Sequence, residues 1–393
     1  PIKTPDPEVT PTSIAFNDEK EPSNAKIRSS YANFRLPSID LLEGPVESGK
    51  DEANRLIAAE FEHKINGFFT DFGIGAHVTQ WTIGSTFTRF EIQLDPRQSL
   101  KAITPHMNDI SLRLNGASVR FEPIIPGKAT SGLEVGNTHR TIVNFKECME
   151  DIIKKRGNEK FMIPLGKDVA GNVISASFND FPHLLVAGST GSGKSVFIHT
   201  VLTALIMRHT PDELRLLLID PKRVELAQYA NIPHLITPII KEPSESKVAL
   251  DRLIDEMERR YKLFEAAGVS KVSDYNDIAD DAGHEKLSII VAIVDEFADL
   301  FESEKEVSTL VLRLVQKSRA AGIHLLIATQ RPSVQVITGN IKANIPSRVA
   351  FMTASVTDSM TILGQGGAEA LLGLGDMLVD SLAVTNRGFL RIQ

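Results

Sequence analysis

The residues best suited to chemistry lie in one run. Gly188-Ser189-Thr190-Gly191-Ser192-Gly193-Lys194-Ser195 follows the apolar stretch His183 to Ala187 and opens a stretch of helical spacing, Val196 to Met207. Glycines let backbone N–H groups turn inward around a phosphate, and a helix N-terminus adds positive potential. The Lys194 ammonium can then reach the terminal phosphates and the Ser195 hydroxyl can bind Mg2+. A strand, loop and helix in this order predict a phosphate loop for ATP with Mg2+. Further on, Ser288 to Val294 is an apolar run ending in Asp295-Glu296. A buried strand that ends this way delivers two carboxylates to the edge where α/β sheets bind ligands. Asp295 is expected to hold the Mg2+ shell and Glu296 to take a proton from the attacking water. Capping a helix is the plainer use of Asp295. Asp299 and Glu302 follow on the same helix and read as surface charge.

The next apolar run, Gly322 to Ala328, ends at Thr329-Gln330, which puts Gln330 on the same edge to sense the γ-phosphate or orient water. Ahead of that run, Gln316-Lys317-Ser318-Arg319 ends a helix, where a cation complements the dipole. In a ring ATPase the same place projects an arginine finger into a neighbour's site. Arg319 is the candidate finger and Lys317 the second choice.

These residues need a scaffold, and 393 residues at 42% hydrophobic content suit two globular domains with connecting segments. Residues 1–34 are rich in Pro, Ser, Asn and charge without periodicity and read as a disordered linker. Residues 35–157 read as a small α/β domain: a helix over Lys50 to Phe69, one or two strands in His77 to Leu94 with a turn at Gly84-Ser85, helical spacing from Leu100 to Leu114, and a strand from Ala117 to Pro123. A basic stretch, Lys154 to Asn158, marks the boundary unless it is a solvated helix end. In residues 158–393, apolar runs at His183 to Ala187, Leu214 to Asp220, Leu287 to Asp295, Gly322 to Ala328 and Ser347 to Phe351 alternate with helical stretches. That alternation predicts a parallel sheet covered by helices on both faces.

The net charge of −7 gives no bulk attraction to nucleic acid, so any grip on DNA must be local. One cysteine, Cys148, excludes an internal disulfide and a multi-Cys zinc site, fits a reducing compartment, and suits a buried position. No apolar run is long enough to span a membrane. The chain opens on Pro1 without a leader and reads as a soluble fragment of a longer protein.

Beyond the phosphate loop, a set of runs resembles the motor of FtsK/SpoIIIE translocases: Pro182 to Ser195 (PHLLVAGSTGSGKS), Leu218 to Leu226 (LIDPKRVEL), Glu256 to Tyr261 (EMERRY), Val294 to Leu300 (VDEFADL), Gln316 to Pro332 (QKSRAAGIHLLIATQRP), Val336 to Pro346 (VITGNIKANIP) and Gln365 to Leu378 (QGGAEALLGLGDML). Upstream, Leu36 to Leu42 (LPSIDLL), Thr88 to Leu94 (TRFEIQL) and Ile125 to Glu134 (IPGKATSGLE) are similar to the family's smaller α domain. The resemblance implies a RecA-like P-loop ATPase domain behind that α domain, a homo-hexameric ring with double-stranded DNA through its centre, and ATP bound between subunits. It implies that Arg319 acts in trans and that Arg331 and Lys342 face the pore and touch DNA phosphates. A motor for any sequence should grip backbone charge rather than base edges.

One departure stands out. After Ala354-Ser355 the family carries a basic residue and then Asp-Ser-Arg, whereas Val356 and Met360 fill the basic positions here. Membrane spans and a winged-helix reader are also missing, so the resemblance is to the motor of a protein anchored at the division septum, on the cytoplasmic side of the bacterial inner membrane, that moves chromosomes during cell division. Two other readings compete: a secretion-type ring ATPase that pumps protein or conjugative DNA, and a nucleotide-switched scaffold without turnover.

Overall fold

In the computed structural model the described residues are 31, 33–45, 50–125, 127–282, 284–385 and 388–393. The segment read as a linker lies outside them except for 31, 33 and 34.

Two apolar cores form. The smaller begins with α1 (Lys50–Asp71), whose Phe61, Ile65, Phe68 and Phe69 recur at three and four and are buried. Strands β1 (Ala76–Ile83) and β2 (Phe87–Leu94) pair antiparallel around the expected turn at Gly84-Ser85. Where one helix was expected from Leu100 to Leu114, there are two 3-10 turns (Leu100–Ala102 and Thr104–His106) and a short α2 (Met107–Arg113). Pro105 is the reason: it has no N–H to donate and it disfavours helical backbone in the residue before it. Strands β3 (Val119–Glu122) and β4 (Ser131–Gly136) complete an antiparallel sheet in the order β1-β2-β4-β3.

The larger unit starts with α3 (Phe145–Arg156) and the hairpin β5 (Met162–Lys167) and β6 (Val173–Ser177). Met149 and Ile152 of α3 belong to the larger core, and Lys154 to Arg156 are that helix's last turn. The cores therefore part between Gly136 and Phe145, ahead of the boundary expected at 157. Then come β7 (His183–Ala187), α4 (Lys194–Arg208), β8 (Leu214–Ile219), α5 (Pro243–Ala267), α6 (Val272–Ala282), β9 (Ile289–Val294), α7 (Phe297–Ser303), α8 (Glu306–Lys317), β10 (Ile323–Thr329), α9 (Gly339–Asn344), β11 (Ser347–Phe351), α10 (Val356–Leu363), β12 (Met377–Asp380) and β13 (Leu390–Ile392).

The sheet runs β13-β12-β11-β7-β10-β9-β8. The five expected strands are its parallel part, β11 through β8. Every residue of β7, β9 and β10 is buried, as strands covered on both faces must be. β10 starts one residue later than expected: Gly322 has φ +71°, and a Cβ there would meet Val272 and Ile289 at 2.8 Å. β12 and β13, not anticipated from the sequence, add antiparallel at the β11 edge. Among the described residues no helix is long and apolar enough to cross a membrane.

Candidate nucleotide-binding site

Because β7, β10, β9 and β8 are parallel neighbours, their carboxyl ends share one edge, and the sequence candidates gather there. β7 leads into the phosphate loop, which closes on itself through Ser192 N to Ser189 O at 3.1 Å and delivers Lys194 as the first residue of α4. Gly193 has φ +118°, and a Cβ there would lie 2.6 Å from the Gly375 nitrogen, so no other residue fits. Ser189 is tied to the end of β11: its N–H and its hydroxyl both donate to Met352 O, at 2.8 and 2.9 Å.

Lys194 is 3% exposed and its Nζ donates to Asp295 Oδ1 at 2.5 Å. Burial pushes the Asp295 carboxyl above the usual carboxylate range, with Lys194 pulling the other way. Glu296 is fully buried at φ +72°, a strained backbone for a residue with a side chain. Its carboxylate accepts from Thr329 Oγ1 at 2.7 Å, from Gln330 N at 3.1 Å and from Lys222 Nζ at 3.1 Å. Gln330 Oε1 accepts from Thr190 Oγ1 at 2.8 Å, which joins the phosphate loop to the end of β10.

Lys222 was not singled out in the sequence, although it lies just past the end of β8 on the same edge. Burial acts to lower its pKa, but the bond to Glu296 and the nearby Asp299 and Asp295 carboxylates leave it raised. Asp299 and Glu302 do more than face solvent. Both pair with Arg331, and Asp299 also lies 3.6 Å from Lys222.

A cavity of about 570 Å³ opens beside the loop, within the range of ligand pockets. Gly191, Lys194 and Ser195 line one side and Phe145, Leu165 and Met377 an apolar side, while Thr86 and Arg140 reach in from beyond the larger core. Cys148 also lines it and is buried, which raises its thiol pKa to about 11.

The residues fit a nucleoside triphosphate. Among the described residues the buried Ser192 hydroxyl has no hydrogen-bond partner, and α4 presents its N-terminus at the loop. Among the described residues no cluster of three or more metal-ligating side chains occurs. Mg2+ on a nucleotide needs none, since it keeps several waters and takes one or two protein oxygens, which Ser195 and Asp295 would supply.

Arg319 is the candidate that does not join this group. It sits between α8 and β10 at the opposite edge of the sheet, exposed and without an ion pair among the described residues. Seven residues of β10 separate the two edges, roughly 20 Å. The turn that carries it is fixed from α5: Arg260 Nη1 donates to Ser288 O and Ala321 O, each at 2.8 Å, and the Tyr261 hydroxyl donates to Lys317 O. Lys342 lies half-buried on α9, and Val356 and Met360 are 54% and 47% exposed on one face of α10.

A profile of the FtsK/SpoIIIE family matches residues 146–334 and one of the FtsK alpha domain matches residues 36–137, two spans that part where the two cores part. The chain belongs to the FtsK/SpoIIIE family. It is 44% identical over 353 residues to the DNA translocase SpoIIIE of Bacillus subtilis, covering 88% of this chain and 45% of that protein. With the DNA translocase FtsK of Mycobacterium tuberculosis it shares 45% over 357 residues, covering 88% of this chain and 42% of the other. The chain thus spans less than half of these FtsK/SpoIIIE relatives.

Among solved structures, the fold is similar to the pCW3 conjugation coupling protein TcpA, in a monomer form with ATPγS (TM-score 0.56, 20% identity, 85% of this chain and 94% of that one). It is also similar to the cytoplasmic domain of the Type VII secretion ATPase EccC of Thermomonospora curvata (TM-score 0.54, 24% identity, 60% and 28%). The P-loop ATPase fold read from the sequence is therefore the fold of this FtsK/SpoIIIE chain.

Proposed function

We propose that this chain is the ATP-hydrolysing motor of a double-stranded DNA translocase that works as a homo-hexameric ring. The observation that carries the reading is the convergence of Lys194, Asp295, Glu296 and Gln330 on one sheet edge while Arg319 stands at the other. A subunit so built supplies the phosphate loop, the carboxylates and the sensing amide of one site, and it presents its arginine to a different subunit.

In this mechanism Lys194 leaves Asp295 for the β- and γ-phosphates, which gives its buried charge a second partner. Ser195 and Asp295 would hold Mg2+, which would neutralise part of the negative charge on the β- and γ-phosphates. Glu296 takes the proton of the attacking water once Lys222 no longer saturates its carboxylate, and Gln330 orients that water. Arg319 from the neighbour stabilises the charge on the transferring phosphoryl group. Closing and reopening that interface moves Arg331 and Lys342 with the DNA they hold. Arg331 must exchange Asp299 and Glu302 for phosphates to do so, which makes the grip an ion-exchange step sensitive to salt. In the whole protein the motor works on the cytoplasmic side of the inner membrane at the division septum.

ATP hydrolysis measured with and without long duplex DNA tests the proposal, and a strong rise with DNA is expected. The exposed apolar pair Val356 and Met360 favours the second reading, a secretion-type ring ATPase with a protein cargo, and a rate indifferent to duplex DNA would put it first. Turnover that disappears in Glu296→Ala argues against a scaffold that binds ATP without hydrolysis.

A further inference from the structure

The turn 372–376, which leads into β12, touches the phosphate loop backbone to backbone. Gly375 N donates to Ser192 O at 2.8 Å, and Gly375 is the residue that leaves no room for a Cβ on Gly193. Two links hold this turn from the small α/β unit. In the first, Arg391 of β13 gives Nε and Nη2 to the two oxygens of Asp376, at 2.8 and 2.6 Å, and Nη1 to Glu134 of β4. Asp376 pins the turn itself by accepting from Leu372 N at 2.7 Å. Glu134 is held in turn by Arg89 and Arg120 at 2.8 and 2.7 Å, and the Arg391 guanidinium lies 3.7 Å over the ring of Phe87 on β2. In the second, Thr86 Oγ1 donates to Gln393 Oε1 at 3.1 Å, and Gln393 Nε2 donates to Leu374 O at 2.7 Å.

Side chains of Glu134, Arg391 and Asp376 are at most 2% exposed. A buried guanidinium that spends its fork on two carboxylates fixes the distance between them, because neither charge can be released to water. Here one carboxylate belongs to the small unit and the other to the turn beneath the phosphate loop. A shift of the small unit therefore moves Asp376, then Gly375, then the carbonyl of Ser192.

We propose that Arg391 is a positioning residue of the phosphate loop, and that through Glu134 the small domain sets how tightly the loop holds a nucleoside triphosphate. The inference rests on the ATPase reading for its ligand. It assigns the small domain a part in the nucleotide cycle beyond packing.

Arg391→Lys and Glu134→Gln test it. Lysine is a point charge that cannot bridge both carboxylates, and glutamine keeps the shape of Glu134 while removing its charge. The dissociation constant of a fluorescent ATP analogue, the KM and kcat of hydrolysis, and the melting temperature are measured on each. We expect both variants to weaken binding and raise KM by roughly tenfold, the scale of one charge-assisted hydrogen bond, with kcat little changed. A lower melting temperature with unchanged binding in the folded protein makes Arg391 a structural tie and overturns the proposal. If Arg391→Lys does not fold, Glu134→Gln carries the test alone, and unchanged binding there removes the role of the small domain. Wild-type protein that binds the analogue but hydrolyses no ATP defeats the ATPase reading instead and leaves the binding comparison valid.

Discussion

The Lys222 ammonium lies 3.1 Å from a Glu296 carboxylate that is fully buried and already accepts from Thr329 and Gln330. These donors occupy lone pairs through which the carboxylate would otherwise take a proton from water. Lys222 also reaches toward Asp299, which pairs with Arg331. These contacts form a short path from the candidate proton acceptor to a candidate DNA contact.

Removing Lys222 is therefore expected to raise hydrolysis in the absence of DNA. Lys222→Ala should increase the basal rate roughly tenfold, the kinetic equivalent of about 1.4 kcal/mol, and shrink the further stimulation by DNA. Lys222→Arg should stay near wild type. A basal rate that falls in Lys222→Ala would place this lysine on the phosphates instead.

Arg319 cannot reach the site of its own chain across the length of β10. Lys194→Ala and Arg319→Ala subunits, each inactive alone, should regain measurable ATPase activity when mixed, because some interfaces then combine an intact loop with an intact arginine. Mixtures as inactive as their components would remove the shared site.

The pH dependence of stability follows from Glu134. Burial alone would raise its pKa, but Arg391, Arg120 and Arg89 bring it down from 4.5 to about 2. A depressed carboxylate contributes stability that is fully present above its unfolded pKa and is lost as pH falls through the folded one. Its share, on the order of 3 kcal/mol, should fade between about pH 4.5 and 2. Chemical denaturation of wild type and Glu134→Gln across that window checks this. The stability gap should narrow on acidification, and a constant gap would contradict it.

How much of this was legible in the sequence depends on how local each signal is. Lys194, Asp295, Glu296 and Gln330 each follow an apolar strand, so strand periodicity and the carboxyl-edge rule bring them together from sequence alone. Lys222 sits on the same edge, but a lysine after Asp-Pro carries no local mark of its partner 74 positions on. The Glu134–Arg391 contact spans 257 positions and has no periodic signal at all. β12 follows directly on the glycine-containing turn Gly373 to Asp376 and β13 has only three residues, so neither stands out from the loops beside it. The basic end of α3 resembles a linker in sequence, because nothing local shows that its Met149 and Ile152 pack in the larger core.

The exposed Val356 and Met360 offer a gain-of-function test. Val356→Lys with Met360→Arg adds two cations on one face of α10. If this helix faces the DNA, binding should tighten, and the slope of log affinity against log salt should steepen by about 0.9 per added phosphate contact. An unchanged slope in a folded double variant would mean that α10 lies away from the DNA path.

Steady-state ATP hydrolysis with and without long duplex DNA, at low and moderate salt and with Lys194→Ala as the control, separates a DNA motor from its rivals. A DNA motor predicts strong stimulation that weakens as salt rises and is absent in the control. Hydrolysis that depends on Lys194 but ignores duplex DNA at every salt concentration would contradict it.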